Sequence, residues 1–547
     1  MKRVSLAATV GALALVPASA NAFDPILHWT DTSNALIRSL NQTRACPCPI
    51  SRGVAMMYLA MYDAVNSIDG THEPYLVDLN APPGASMEAA AVMAAHDVLL
   101  SIYPIRQGML DNAMNADLAL IPDGQSKTDG IAIGHAAAQA IIAARTGDGS
   151  SIDPTYGGEN SIGHWHPTWP DFRTGCHSMW GHVTPFGLTA GNQFLPPAPP
   201  ALTSQQYTDA FNEVKLYGSE YGDEANTYQR EIAYFWANDQ DGTSKPPGQL
   251  CDMFKIISQL QGLGTVENAR LFAYLGMCLG DAGIACWDSK YDTDLDFWRP
   301  ISGIREADAD GNPNTLADPE WVPLCHFTPN FPAYTSGHST FGGAASQQLR
   351  RYLGFDDFTW TQTTDDPHLD AGWTREMHSF TQAEVENHDS RIWLGVHWRF
   401  DCDAGRGPGT SPRRLGLRQL PSPGQRRPRN VLGRSEWARD RTLDHRPESD
   451  LGGHSIPLRA DGAGTARRGH LRRAGSRGAH SGLASGQRIE LGGLGRDEHR
   501  PPSGRTRRLL RSRCLERSAG RSVGRIPLGR AALALANGLN RKKENET

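Results

Sequence analysis

The chain of 547 residues changes character near residue 405, and that break limits what can fold. From 405 to 547 it holds 30 Arg and 2 Lys against 12 Asp plus Glu, a balance of +20, with Trp437 as its one aromatic residue. No apolar period lasts there, so this Arg/Gly/Pro-rich tail has too little to bury and is expected to be largely disordered. The residues before it carry the opposite balance, −25. A folded body therefore has to come from residues 23–404, enough for a large helical domain. The tail reads as a shift of reading frame near codon 405; a natural basic tail or a nucleic-acid-binding arm are the alternatives, and no nucleic-acid partner is expected. Gly407-Pro408 would stop a helix entering it.

Residues 1–22 read as a secretory leader: Lys2 and Arg3, the short apolar run VSLAATVGALALVPASA, then small residues before Phe23. Export to the periplasm or medium is the expectation. No later run reads as long enough to cross a bilayer. Nine cysteines fit structural disulfides or buried thiols, and Cys46-Pro47-Cys48 lacks the spacing of a redox pair.

Between the ends, apolar residues recur at helical spacing over 51–68, 87–118, 128–146, 204–238, 264–290 and 384–400. Pro122-Asp123-Gly124 separates the second from the third. The fold class expected is all-α, packed antiparallel helices joined by long ordered loops. Residues 147–200 read as such a loop, anchored by Trp165, Trp169 and Trp180; His164, His166, His177 and His182 lie in it without metal-ligand spacing. Residues 306–317 begin like a calcium loop, but Ala317 stands where a closing Glu belongs, so a polar turn is expected. Residues 355–375, acidic and Thr-rich, read as an exposed loop or lid.

The chemistry-bearing residues run from Lys290 to Asp401. Lys290, Arg299 and Arg391 are three cations suited to the oxygens of a tetrahedral oxyanion. Ser336 and the Gly337 N–H add short donors, at the start of a helix whose dipole favours an anion. His338 and His397 offer one imidazole to bond the central atom and one to move protons. On a continuous helix Arg391 and His397 would stand about 240° apart, so they would not share a face.

These motifs resemble the family that joins vanadium-dependent haloperoxidases to type 2 phosphatidic acid phosphatases and bacterial acid phosphatases. Its pattern is a Lys before Arg-Pro, then Ser-Gly-His, then Ser-Arg, His and Asp, matched last by Ser390, Arg391, His397 and Asp401. FWRPISG, FPAYTSGHSTFGG and GVHWRFD look most like the chloroperoxidase branch, and the resemblance covers roughly residues 45–404. It implies helical bundles around a buried oxyanion site. It implies vanadate as cofactor, with His397 as its axial ligand, in a pocket that phosphate can also occupy. Lys290, Arg299, Arg391, Ser336 and Gly337 would hold the oxygens. His338 would be the acid/base group, Asp239 the carboxylate paired with Arg391, and Asp401 the residue orienting His397. Phe331 matches the position that is Phe in chloroperoxidases and His in bromoperoxidases. The activity implied is oxidation of halide by hydrogen peroxide to hypohalous acid, which then meets a small organic acceptor. The alternatives are an exported acid phosphatase working through a phosphohistidine at His397, or an inactive member with a damaged C-terminus. The chain departs from the pattern in two further places. Eight residues separate Lys290 from Arg299 where six are usual, and Thr335 stands where Pro is usual.

Overall fold

Asp24 opens the first helix by accepting from the Ile26 and Leu27 N–H groups, with Pro25 in the first turn, where its missing donor costs nothing. The computed structural model describes residues 23–40, 47–222, 225–291 and 295–407. The leader-like segment, Cys46, Cys514 and the tail beyond 407 lie outside them.

Five helices form a first bundle: α1 (Pro25–Arg38), α2 (Pro47–Asp69), α3 (Met87–Ile102), α4 (Gln107–Ala119) and α5 (Gln125–Arg145). The run expected over 87–118 is thus two helices, broken at Tyr103-Pro104, because proline cannot continue the α3 hydrogen-bond ladder. Alanine and glycine set the spacing inside the bundle. A Cβ on Gly134 of α5 would lie 2.3 Å from the Ala90 carbonyl of α3, so the two backbones touch there.

After the long loop come α6 (Gln205–Tyr217), α7 (Thr227–Ala237), α8 (Lys245–Gln261) and α9 (Thr265–Tyr291). The run expected over 204–238 is again two helices. By length and composition α9 could cross a membrane, contrary to the sequence expectation, but 89% of its apolar window is buried against α2, α8 and α11. It is the core helix. The remaining elements are α10 (Pro300–Arg305), α11 (Gly337–Leu353), strands β1 (Asp357–Thr363) and β2 (Thr374–Ser379), α12 (Phe380–Trp393) and α13 (Arg399–Arg406). The two strands pair antiparallel where an exposed loop was expected; inward-facing Trp360 and Met377 pay for the ordering by burial. With this one hairpin, the all-α reading holds.

The loop over 147–200 packs on the body as expected. Trp165 and Trp180 are buried, and the Trp165 N–H donates to Asp296 O while Trp298 N–H donates to Gly163 O, fastening the loop to the segment before Arg299. Its histidines meet carboxylates: His164 with Asp296, His166 with Glu306, His177 with Asp153. His182 is exposed. Residues 307–315 form the turn expected, closed by Asp310 accepting from Asn312 N–H and Thr315 Oγ1–H. Cys48, Cys251, Cys278, Cys286, Cys325 and Cys402 are buried free thiols, so disulfides are not what these six provide.

Candidate oxyanion site

Three separated pieces of sequence meet beneath the N-terminus of α11. The loop Phe331–Thr335 is the fastener. Its carbonyls at Pro332, Ala333 and Thr335 accept from Lys290 Nζ, and that of Phe331 accepts from Arg299 Nε at 2.8 Å. The Ala333 N–H donates to Phe297 O and the Ser336 N–H to Asp401 O, so the loop is tied both to the Arg-Pro segment and to α13. At the other end Gly405 packs so closely that a Cβ would stand 2.7 Å from Ser336 O, and Arg406 bonds Glu384 at 2.9 Å. The fold is in register with the sequence through Arg406; Gly407, at φ +87°, ends α13.

The Arg391–His397 problem disappears because no continuous helix joins them. α12 stops at Trp393, Gly395 adopts φ +81° with its Cα against Gly218, and the chain returns His397 to the same cavity as Arg391. His397 Nε2 accepts from Arg299 Nη1 at 3.1 Å, which makes Nδ1 the protonated nitrogen, donating to Asp401 Oδ2 at 3.1 Å. Asp401 also accepts the Trp398 N–H at 3.0 Å. This tautomer puts the ring's lone pair on Nε2, where it accepts from Arg299, with a carboxylate orienting the ring from behind. Burial first, then the charges of Arg299, Lys290 and Arg391, keeps the His397 imidazole well below its ordinary pKa. Burial likewise raises Asp401 to about 7.

Arg391 donates from Nη2 to Asp239 Oδ2 at 3.1 Å, while its Nε and Nη1 are buried without a partner, as is Nη2 of Arg299. Among the described residues Arg106, Arg145 and Arg270 each leave one buried guanidinium nitrogen unpartnered, but only here do three gather in one site, an arrangement suited to an anion. Gly337 agrees with this. It lines the same cavity, and a Cβ there would just touch the Trp287 ring, at 3.4 Å. His338 donates from Nε2 to Ala237 O at 3.1 Å, fixing Nδ1 as its basic nitrogen, and lies 3.9 Å from Asp239. Burial, then Arg391, pushes its pKa down to about 4.

Three of the expected oxygen-holding residues, Lys290, Arg299 and Ser336, are wholly buried and do not line the cavity that Gly337, His338, Arg391 and His397 line. Lys290 spends its three N–H groups on three carbonyls, so it supplies positive charge and has no donor left for an oxyanion. Burial lowers it to about 8. Ser336 caps α11, its Oγ accepting the Ser339 N–H, and it is wholly buried beside the cavity rather than among its lining residues. Phe331 does line the cavity. Its ring lies 4.8 Å from the Arg299 guanidinium carbon and 5.0 Å from Lys290 Nζ.

The cavity measures about 480 Å³, with Asp239, Gly337, His338, Arg391 and His397 among its lining residues. Sequence reasoning passed over Trp287, Lys245, Phe341 and the lining role of His177. Trp287 was within reach, standing three residues before Lys290 and so on nearly the same face of α9. Lys245 had no signal.

An all-α body with a histidine-centred, cation-walled oxyanion cavity is the class defined by these features. Residues 270–413 match the family model for the VCPO second helical-bundle domain. The vanadium chloroperoxidase of Curvularia inaequalis is 28% identical over 303 residues, 43% of this chain and 47% of that protein, so the match spans about half of the relative's length. Among solved structures, the first bacterial vanadium-dependent iodoperoxidase is 25% identical with a TM-score of 0.59, covering 70% of this chain and 92% of its own. A holo-type bacterial vanadium-dependent chloroperoxidase, 17% identical at a TM-score of 0.54 over 69% of this chain and 92% of that one, shares the fold. The second bundle thus matches the VCPO helical-bundle model, and the chain is similar in sequence and fold to vanadium-dependent haloperoxidases.

Proposed function

We propose that the protein is a vanadate-dependent haloperoxidase that oxidises halide with hydrogen peroxide to hypohalous acid. The observation carrying this reading is the set of buried, unpartnered N–H groups of Arg299 and Arg391 beside His397 Nε2. Those groups would hold vanadate: His397 through Nε2, Arg299 and Arg391 on its oxygens, the Gly337 N–H beside them, with Lys290 adding charge. When bound, vanadate supplies a Lewis-acidic centre that activates peroxide towards halide. The chain's own part is positioning and charge. Asp401 keeps His397 in the coordinating tautomer, and Asp239 holds Arg391 so that its remaining donors stay turned away from the carboxylate. His338, neutral at neutral pH, would serve as the proton acceptor of the cavity through Nδ1. Trp287, Phe331 and Phe341 keep the wall apolar, which strengthens every charge interaction at the floor.

The test is oxidation of iodide, bromide and chloride by peroxide with and without orthovanadate, beside phosphate-ester hydrolysis. Halide oxidation that requires vanadate and is lost in His397→Ala supports the reading. Ester hydrolysis inhibited by vanadate, with no halide oxidised, would replace it by the phosphohistidine mechanism.

A further inference from the structure

His397 lies in the short segment 394–398, strung between the end of α12 and the start of α13. Those two helices are the posts that set where its ring stands. α12 also carries Arg391, and α13 carries Asp401, which bonds the His397 ring. Among the described residues, charged side chains tie the two helices together at three places. Arg406 bonds Glu384, Arg399 bonds Asp389, and His388 bonds Asp403 at 2.8 Å. The third tie is the buried one: the His388 side chain is 3% exposed, against 24% for Arg406 and 33% for Arg399. Water screens it least.

The His388 ring is bonded at both ends. Nδ1 meets Asp389 Oδ1 on its own helix at 2.9 Å, and Nε2 meets Asp403 Oδ1 across the gap at 2.8 Å. Ionised carboxylates only accept, so both nitrogens carry protons and the ring is an imidazolium. Arg399 Nη1 is farther from Nδ1, at 3.4 Å, and itself bonds Asp389 Oδ1. Arg399 pairs in turn with Glu213 of α6, whereas Arg350 of α11 is turned to Glu384 and Asp356. Burial opposes the charge on His388, but the bonds to Asp389 and Asp403 outweigh it and raise the pKa above its ordinary value. The placement suits a brace. His388 stands one turn before Arg391, and Asp403 is about 200° round α13 from Asp401, so one carboxylate meets α12 while the other serves the site.

We propose that His388 is a positioning residue for the oxyanion site, bracing α12 to α13 so that Arg391 and His397 keep one separation. It touches neither the anion nor the reacting atoms and acts through Asp403. The brace stands on the contacts around His388; its effect on anion affinity rests on the oxyanion reading. Asp403 has no other ion pair among the described residues. Without His388, charged groups tie α13 to α12 only through Arg399 and Arg406, at the two ends of the short helix. Asp401, and with it the His397 ring, then loses its fixed distance to Arg391.

The experiment records histidine ring resonances of the full chain, labelled with nitrogen-15 and free of vanadate, and titrates the same chain with orthovanadate by calorimetry. At neutral pH both ring nitrogens of His388 should be protonated. Asp403→Ala removes the α13 end of the brace at a side chain that is 59% exposed, so the fold should survive it. That variant should move the His397 ring resonances and weaken orthovanadate binding about tenfold, the lower end of what one hydrogen bond to a charged group supplies. Asp403→Glu, which keeps a carboxylate, should restore most of both. His388→Phe should match Asp403→Ala, and the double variant should bind no more weakly than His388→Phe alone. A neutral His388, or His397 resonances unmoved in Asp403→Ala, overturns the proposal, and so does a loss that Asp403→Glu fails to restore. If the unaltered chain binds no orthovanadate, the oxyanion reading falls, and the His397 resonances alone decide the brace.

Discussion

The bundle of α1 to α5 and the elements from α9 to α13 are both deeply buried, yet they bury different things. Between α3 and α5 the contacts are alanines and glycine backbone, and the buried carboxylate of Asp63 is satisfied by three N–H groups, from Tyr75, Leu76 and Val77. Around α11 the chain buries Lys290, Arg299, Arg391, His338, His397 and Asp401, and leaves three of the guanidinium nitrogens without partners. Uncompensated buried charge opposes folding. The first region is packed for stability, and the second carries unsatisfied donors that, on the proposed reading, an oxyanion would complete.

The largest effect that would test this contrast is in the second region. His397→Ala should lower oxyanion affinity and halide oxidation by about 10³-fold, the scale of losing a preorganised transition-state contact. The unfolding temperature should fall only modestly, because packing elsewhere is untouched and the loss is confined to the His397 hydrogen bonds with Arg299 and Asp401. Calorimetry with and without vanadate reads both. A marked fall in stability with only a modest fall in affinity would show that His397 is a core residue and the contrast is wrong.

The reverse is expected of Gly134→Val. Its side chain would collide with the Ala90 carbonyl 2.3 Å from the first added atom, so stability to denaturant should fall by about 3 kcal/mol. Activity per folded molecule should not change. A variant that stays stable would mean α3 and α5 part easily.

The same two regions were unequally legible in the sequence. α2 and α9 were readable because each keeps an apolar face for many turns. α1 and α8 were not: one adjoins the leader-like segment, and the other opens on Lys-Pro-Pro-Gly, which looks like a loop. The hairpin at 357–379 was hidden by its acidic and threonine-rich outer face, since only a few inward residues such as Trp360 and Met377 report its period. At the site, residue type and order pointed to His338, His397, Arg299 and Arg391, and the family resemblance added Asp239. Direction was not legible. Nothing in the spacing says that Lys290 turns to three carbonyls, or that Gly395 breaks the helix and so lets Arg391 and His397 share a cavity.

A smaller effect follows from His338. Its folded pKa, about 4, is depressed from an ordinary 6.5, so it contributes stability that is fully present above 6.5 and lost as pH falls through 4. Stability should therefore drop by about 3 kcal/mol between pH 7 and pH 4 on this account, and His338→Gln should remove that part of the drop. Denaturant titrations at the two pH values decide it. An unchanged slope in His338→Gln would assign acid sensitivity to other groups.

The smallest effect concerns Lys245, which lines the cavity but whose Nζ donates to the carbonyls of Asp239 and Gln240. Its backbone at φ +61° and that of Asn238 at φ +43° close a tight turn, and Thr243 Oγ1 bonds Asn238 O and Gln240 O inside it. The turn exists to present one carboxylate, that of Asp239, to Arg391. Lys245→Met should thus weaken oxyanion binding by about tenfold through a displaced Asp239, an effect of about 1.4 kcal/mol. Because it acts through Asp239, it should add nothing to Asp239→Asn: the double variant should bind no more weakly than Asp239→Asn alone. Additive losses would mean that Lys245 acts on the anion directly.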